Sequence, residues 1–403
     1  MHDDTKCLRP PPAEGSFASL VVPVHRASTI AFESVEDYQN RRAAMYDGYS
    51  YGLYGTPTSR TLENAIAAIE DATRAMVLPS GFAAIVVTTL ACTAAGRRVL
   101  FPDTAYDTVR PFAERFLGGM GIKSTYYDPM AGAAIGSMLK PDIGLVWVES
   151  PGSMTLEVQD VPAIANACRD RGIKVAADNT YATPLRCKPL ALGVDVSICA
   201  VSKYVSGHSD VVMGSIAVDD AQLFRRLKDY TRFMGMGVSA DDASLVLRGM
   251  ETMAVRLDRT ELTTLRVLDA IAGHPAIEEV RHPALATNPG HEYWKRDFCG
   301  STGLITLFLK PVAANVLAAA IESMDQFAIG ASWGGTKSIV AVLDRPPLRT
   351  ATATPHDGPL VRLSIGLENV EDLLASLLPA LDMIAADSKL PTSSPSQKNG
   401  AAQ

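Results

Sequence analysis

Residues 194–216 read VDVSICAVSKYVSGHSDVVMGSI, with Lys203 standing between an apolar run and a Gly/His/Asp turn. Val196, Ile198 and Ala200 alternate with Ser197 and Cys199, the period-two pattern of a strand, so the strand's end delivers Ser202 and Lys203 to the rim of a sheet. A lysine is ordinarily a solvated charge. Desolvated at a strand end, its pKa falls and the amine can serve as nucleophile or base. Ser202 beside it, and Gly207, His208 and Ser209 after it, suit an anionic group. Surface lysine and chemical lysine are both open on this stretch alone, and the other strand ends decide.

Outward from this stretch the chain alternates regularly. A helix at Ser59–Ala72 precedes a strand at Ala75–Leu78, and a PSG turn opens a helix at Phe82–Ala94. Strands follow at Arg98–Phe101, Lys123–Tyr127, Ile143–Glu149 and Lys174–Asp178, with helices at Val109–Leu117 and Pro162–Asp170. Such βα repetition predicts an α/β fold, a mostly parallel sheet with helices on both faces. Ligands of these sheets lie beyond the carboxyl ends of the strands. A long helical stretch, Ala240–His274, leads to an α+β unit with strands at Ile277–Arg281, Gly303–Leu309 and Val361–Ile365 and helices at Ala313–Met324 and Val370–Ala385. The expected division is an arm and loop over 1–58, a large domain over 59–255, a small domain over 256–387 and a tail over 388–403.

With 403 residues, 47% of them hydrophobic, the chain can bury a large core. A net charge of −7 with scattered Lys and Arg argues against nucleic acid or an anionic membrane and for a small-molecule substrate. No apolar run reaches ~18 residues, and MHDDTKCLRPPPAEG has neither the basic nor the apolar region of a signal peptide, so a cytoplasmic protein is expected. Six dispersed cysteines form no CxxC pair, and Lys295 stands where the HE pair at His291 would need a second histidine, so no metal is expected. Residues 1–15 and 388–403 are polar and Pro-rich and are expected to be disordered.

At the strand ends, Ser80, Gly81 and Phe82 open a helix whose first N–H groups suit a phosphate, although a plain N-cap explains Ser80 equally. Tyr106 follows the next strand and could stack on a flat ligand or sit in the core. Asp178 ends the apolar IKVAAD, where a carboxylate needs a capping turn or a cationic partner such as a protonated pyridine. An anion cradle, an aromatic ring, a carboxylate and a lysine on one rim describe a pyridoxal phosphate site.

SKYVSGHSDVVMG (202–214) and AADNTYATP (176–184) resemble the lysine and aspartate segments of the Cys/Met-metabolism family of pyridoxal-phosphate enzymes, and the resemblance extends over about residues 16–386. It implies fold type I, aspartate aminotransferase-like, with a mostly parallel seven-stranded sheet domain and a smaller α+β C-terminal domain. Within the family, ESPGSMTLEVQDVPAI, GHEYWKRDFCGSTGL, ASWGGTKS and RLSIGLENVEDL are most similar to bacterial β-lyases, Ser153 standing where γ-enzymes usually carry asparagine.

The resemblance implies pyridoxal 5'-phosphate held as a Schiff base by Lys203, with Ser80, Gly81, Phe82, Ser202 and Tyr51 around the phosphate, Tyr106 over the ring and Asp178 on its nitrogen. Arg362, Ser332, Trp333 and Tyr51 are the implied substrate-binding residues, and Lys203, Tyr106 and Tyr51 the implied catalytic ones. The implied reaction is α,β-elimination on L-cystathionine or other cysteine S-conjugates, in a homotetramer whose dimers share active sites through the 46–58 loop and the VVPVHRAST arm. Two positions depart from the family pattern. Tyr51-Gly52-Leu53 replaces Tyr-x-Arg, whose residues reach a neighbouring subunit's phosphate, and Lys337 replaces a glutamate. A γ-elimination or γ-replacement enzyme, a racemase and a catalytically silent binding module are the alternatives.

Overall fold

The computed structural model describes residues 1–9, 20–43, 45–343, 346–353, 356 and 358–388. Seven strands form one sheet: β1 (Arg74–Leu78), β2 (Arg98–Pro102), β3 (Lys123–Tyr127), β4 (Ile143–Glu149), β5 (Lys174–Asp178), β6 (Val196–Cys199) and β7 (Gly214–Val218). Their order is β1-β7-β6-β5-β4-β2-β3, and only β7 runs antiparallel to its neighbours. The strand β7 was not expected from the sequence. It follows β6 through the helix-free 200–213 segment that carries Lys203, and pairs antiparallel with both β6 and β1. The register sets Glu149 opposite Asp178 and Asp178 opposite Ile198, so β4, β5 and β6 end level on one rim.

Near-continuous apolar strands are the signature of a sheet covered on both faces. On one face the helices Gly81–Cys92 and Ala221–Phe233 pack on the sheet and against each other, with Ala84, Val87 and Ala91 fully buried. On the other, Ile164 and Cys168 of the helix Val161–Arg169 pack on Val146, Val148 and Val175. A second sheet holds β8 (Ile277–Arg281), β9 (Leu304–Leu309), β10 (Ala328–Ile329), β11 (Ile339–Leu343) and β12 (Leu360–Ser364), in the order β10-β11-β12-β9-β8. Val361 and Leu363 face its helix-covered core together with Ile305 and Leu307. Side chains alternate along a strand, so Arg362 points to the opposite face.

Two expectations change. The stretch Ala240–His274 is two helices, Ala240–Met250 and Met253–Ile271. The break coincides with Gly249, where a Cβ would stand 2.2 Å from Ser206 O. Within 1–15, Asp3–Leu8 is helical rather than disordered: Cys7 is buried and Asp3 pairs with Lys188 at 2.7 Å. Residues 10–19 and 389–403, the rest of the expected disorder, lie outside the described residues; Ser388 ends the helix Val370–Asp387.

Glu70, at the end of the helix Pro57–Glu70, is buried against β6, where Ser197 Oγ donates to it at 3.0 Å. Burial pushes its carboxyl up to about 7. The folded state therefore holds this proton more tightly than the unfolded chain, and the stability it contributes is lost as pH rises from about 4.5 to about 7. Glu70→Gln keeps the Ser197 contact without the titration. The variant is expected to melt several degrees above the parent at pH 8, with the gap closing toward pH 4.5 in a thermal-denaturation series.

Candidate active site

The turn after β1 meets two other backbone segments with no side chain between them. A Cβ on Gly81 would lie 2.5 Å from Ala200 Cβ, and one on Gly214 would lie 2.3 Å from Ser80 O. Ser80 is the N-cap, its Oγ accepting from Ala83 N–H at 2.9 Å. The N–H groups of Gly81 and Phe82 have no intrahelical acceptor and stand beside the Ser202–Lys203 turn, where they could hold a phosphate.

Lys203 is half-buried in that turn. Its Nζ donates to Ser332 Oγ at 2.7 Å and lies 5.4 Å from the Trp333 ring centroid. The 331–335 loop can sit so close because Gly334 adopts φ +83 and has no Cβ to meet Tyr204 N, which would be 2.9 Å away. Burial, and secondly the Arg362 charge, lower the Lys203 pKa. In cofactor-free protein the amine is expected to acylate with a midpoint below its ordinary 10.5, moving upward in Arg362→Gln, as read by mass spectrometry across a pH series.

Asp178 is drawn into the same assembly through backbone links. Its Oδ1 accepts from Thr180 N–H at 2.9 Å, and Thr180 Oγ1 accepts from Ala200 N–H at 2.8 Å, tying the end of β5 to the Lys203 turn. Burial raises the Asp178 carboxyl, and among the described residues no cationic side chain offsets it. Beside it Glu149 is raised well above the usual carboxylate range by burial and then by the Asp178 charge. Glu149 Oε2 accepts from Tyr106 N–H at 2.7 Å, which places the exposed Tyr106 at the same rim.

Arg362 comes from the second sheet, 7% exposed. Its Nη2 donates to Ala331 O at 2.6 Å, its Nη1 meets Met154 Sδ at 3.3 Å, and its Nε has no partner among the described residues. Burial lowers its pKa, as desolvation of a cation must. Underneath the Lys203 turn the buried Arg256 donates to Tyr204 O at 2.8 Å and to Gly249 O at 2.8 Å.

The rim thus gathers Ser80, Gly81, Phe82, Ser202, Lys203, Asp178 and Tyr106, with Ser332, Trp333 and Arg362 arriving from the second sheet's side. Tyr51 is not brought in: it is exposed, its ring packs edge-on to Tyr54, and no hydrogen bond or ring contact joins it to Lys203 or Arg362 among the described residues. Leu53 is turned toward Gly237 of the same chain, and Lys337 is exposed. Met154 and Arg256 were missed as contributors, and Glu149 and Thr180, although they stand at the ends of predicted strands, were given no role.

These residues fit pyridoxal phosphate. Gly81 lets the first amides of its helix come up against Ala200, where a Cβ would not fit, Asp178 is a desolvated carboxylate with no cationic contribution among the described residues, and Lys203 is an amine of lowered pKa. The model of the Cys/Met metabolism PLP-dependent enzymes matches residues 4–382. The chain is 38% identical over 363 residues to the cystathionine beta-lyase MetC of Escherichia coli, covering 88% of this chain and 91% of that one. It is 36% identical over 375 residues to an L-alanine/L-glutamate racemase of Wolbachia pipientis, covering 90% and 92%. A cystathionine gamma synthase structure from Xanthomonas oryzae, solved with aminoacrylate and cysteine, superposes with a TM-score of 0.87 at 26% identity over 96% of this chain and 99% of that one. The chain therefore belongs to the Cys/Met metabolism PLP-dependent enzymes, fold type I, with pyridoxal phosphate as its cofactor.

Proposed function

We propose that this enzyme is a carbon–sulfur lyase that performs α,β-elimination on L-cystathionine, giving homocysteine, pyruvate and ammonia, and that cystine and other cysteine S-conjugates undergo the same cleavage. The observation that carries the reading is the placement of the Lys203 amine, 2.7 Å from Ser332 Oγ and 5.4 Å from Trp333, in the field of the buried Arg362. Arg362 takes the substrate's α-carboxylate, for which a guanidinium with unspent donors is the apt group. With its carboxylate held there, the substrate presents Cα to the Lys203 amine, which removes its proton. When bound, the cofactor supplies the electron sink that makes this proton removable.

Asp178 holds the proton on the cofactor's ring nitrogen, the Gly81 and Phe82 amides with Ser80 and Ser202 hold its phosphate, and Tyr106 covers its ring. Ser332 orients the amine before and after proton transfer. Lys203, or Tyr51 supplied by a neighbouring subunit, protonates the departing sulfur. Trp333 narrows the space beside the amine, which favours cleavage one carbon from Cα over attack further out. Because Tyr51 is exposed in the single chain, we further propose the homotetramer with shared sites, and 59–255 and 256–387 as large and small domains around the two sheets. A cytoplasmic role in transsulfuration toward methionine follows from that substrate; no described helix is long and apolar enough to cross a membrane.

A panel of cystathionine, cystine and homoserine derivatives scored by keto-acid product tests the reaction. Pyruvate supports β-elimination, and α-ketobutyrate or a new thioether in its place overturns it in favour of γ-chemistry. The likeness to an L-alanine/L-glutamate racemase supports a second reading, reprotonation of Cα on the other face. Solvent deuterium entering Cα with inversion, and no pyruvate, would establish it. Solution mass is the test of the tetramer.

A further inference from the structure

Met154 occupies a position that the elimination chemistry does not use. Its backbone has φ +64, a conformation unfavourable for a residue with a Cβ. The surrounding loop enforces it from both sides. Ser153 N–H donates to Thr104 O at 2.9 Å, Thr155 N–H donates to Ser153 O at 2.8 Å, and Thr306 Oγ1 donates to the Met154 carbonyl. Glu157 then locks the end of the loop through Arg349 at 2.8 Å and Arg281 at 3.4 Å. Strained backbone held in this way directs a side chain. Here it directs a thioether onto the Nη1 of Arg362 at 3.3 Å.

A thioether is a weak acceptor on a flexible stem. Met154 itself is half-buried, so its end has a way out to solvent. Among the described residues, Nη2 already has one strong acceptor in Ala331 O, while Nη1 has only the sulfur. An incoming carboxylate that grips the guanidinium end-on needs one N–H from each of these nitrogens.

Resting on the proposed role of Arg362 as the α-carboxylate anchor, we infer that the Met154 thioether is a displaceable cover on Arg362. The amino acid's carboxylate replaces it on binding, so Met154 sets substrate affinity without touching the bond that breaks. In the absence of substrate the cover supplies Nη1 with a partner, one weak enough to yield to a carboxylate when the amino acid binds.

Two holoenzyme variants push affinity in opposite directions. Met154→Leu keeps the size and the backbone demand but removes the acceptor, and KM for L-cystathionine is expected to fall by about two- to five-fold with kcat held. Met154→Gln puts a stronger acceptor at the same reach, and KM is expected to rise by about ten-fold or more, again with kcat held. The midpoint of the visible-absorbance change on adding L-alanine, which carries the carboxylate without a sulfur leaving group, is expected to move the same two ways. Equal midpoints in parent and both variants would overturn the inference. So would a fall in kcat that tracks lost cofactor, since that marks a merely structural residue. If the parent releases no pyruvate from any cysteine S-conjugate, β-elimination falls, and the L-alanine midpoints still decide Met154.

Discussion

Replacing Lys203 by alanine is expected to remove both the visible absorbance of the covalently held cofactor and the release of pyruvate, a loss of about 10³-fold or more. In the proposed reaction the amine has two separate duties, as the attachment point and as the base at Cα. It is equipped for the second by burial and by the Arg362 charge, both of which lower its pKa. Ser332 Oγ at 2.7 Å fixes its direction but has no basicity to take over. The turn itself does not depend on the side chain: Lys203 N–H donates to Ala200 O at 3.0 Å, and Arg256 braces the Tyr204 carbonyl from below. Folding by circular dichroism should therefore match the parent. Lys203→Arg, which keeps the charge and cannot form the covalent link, should be as inactive as the alanine variant. Normal pyruvate release by either variant would remove Lys203 from the chemistry.

Asp178→Asn is expected to retain cofactor and lose about 10²- to 10³-fold in kcat. Asparagine is nearly the same shape, and its side-chain oxygen still accepts from Thr180 N–H, so the rim keeps its geometry. The countercharge for a ring-nitrogen cation is what disappears. The apo-protein offers an independent check. Burial raises the Asp178 carboxyl, so its stability contribution is full below the unfolded value of 3.8 and is lost as pH rises through the folded value. Apo Asp178→Asn should lack that decline in a pH series of melting temperatures. Unchanged turnover in the variant would mean that the carboxylate has another partner.

How much of the site was legible follows from how each residue acts. Lys203, Asp178 and the Ser80–Phe82 turn could be found because each terminates or follows an apolar strand, and a period-two pattern reports where a strand ends. Arg362 was found through its motif, yet its aim follows from one alternation: Val361 and Leu363 turn into the helix-covered core and send Arg362 to the other face. Glu149 and Thr180 stood at strand ends too, but their roles did not show; Met154 and Arg256 left almost no signal. They work through hydrogen bonds across the chain, such as Ala200 N–H to Thr180 Oγ1 and Arg256 to the Tyr204 and Gly249 carbonyls, and neither spacing nor composition records which backbone group lies opposite. The N-terminal helix was misjudged for the same reason. Its composition is polar, but Cys7 and Asp3 find partners in distant segments.

The sequence by itself determined the α/β class, the rim on which chemistry is gathered and the residue types placed there, because apolar periodicity and strand-end residues are local properties of a chain. Only the tertiary structure decided that Ser332 lies on the Lys203 amine, that Tyr51 stays outside the single-chain site and that a thioether covers Arg362. Those relations are set by close backbone packing at Gly81, Gly214 and Gly334 and by the register of two separate sheets. Such packing is a property of segments far apart in the chain meeting in space, which no local pattern specifies.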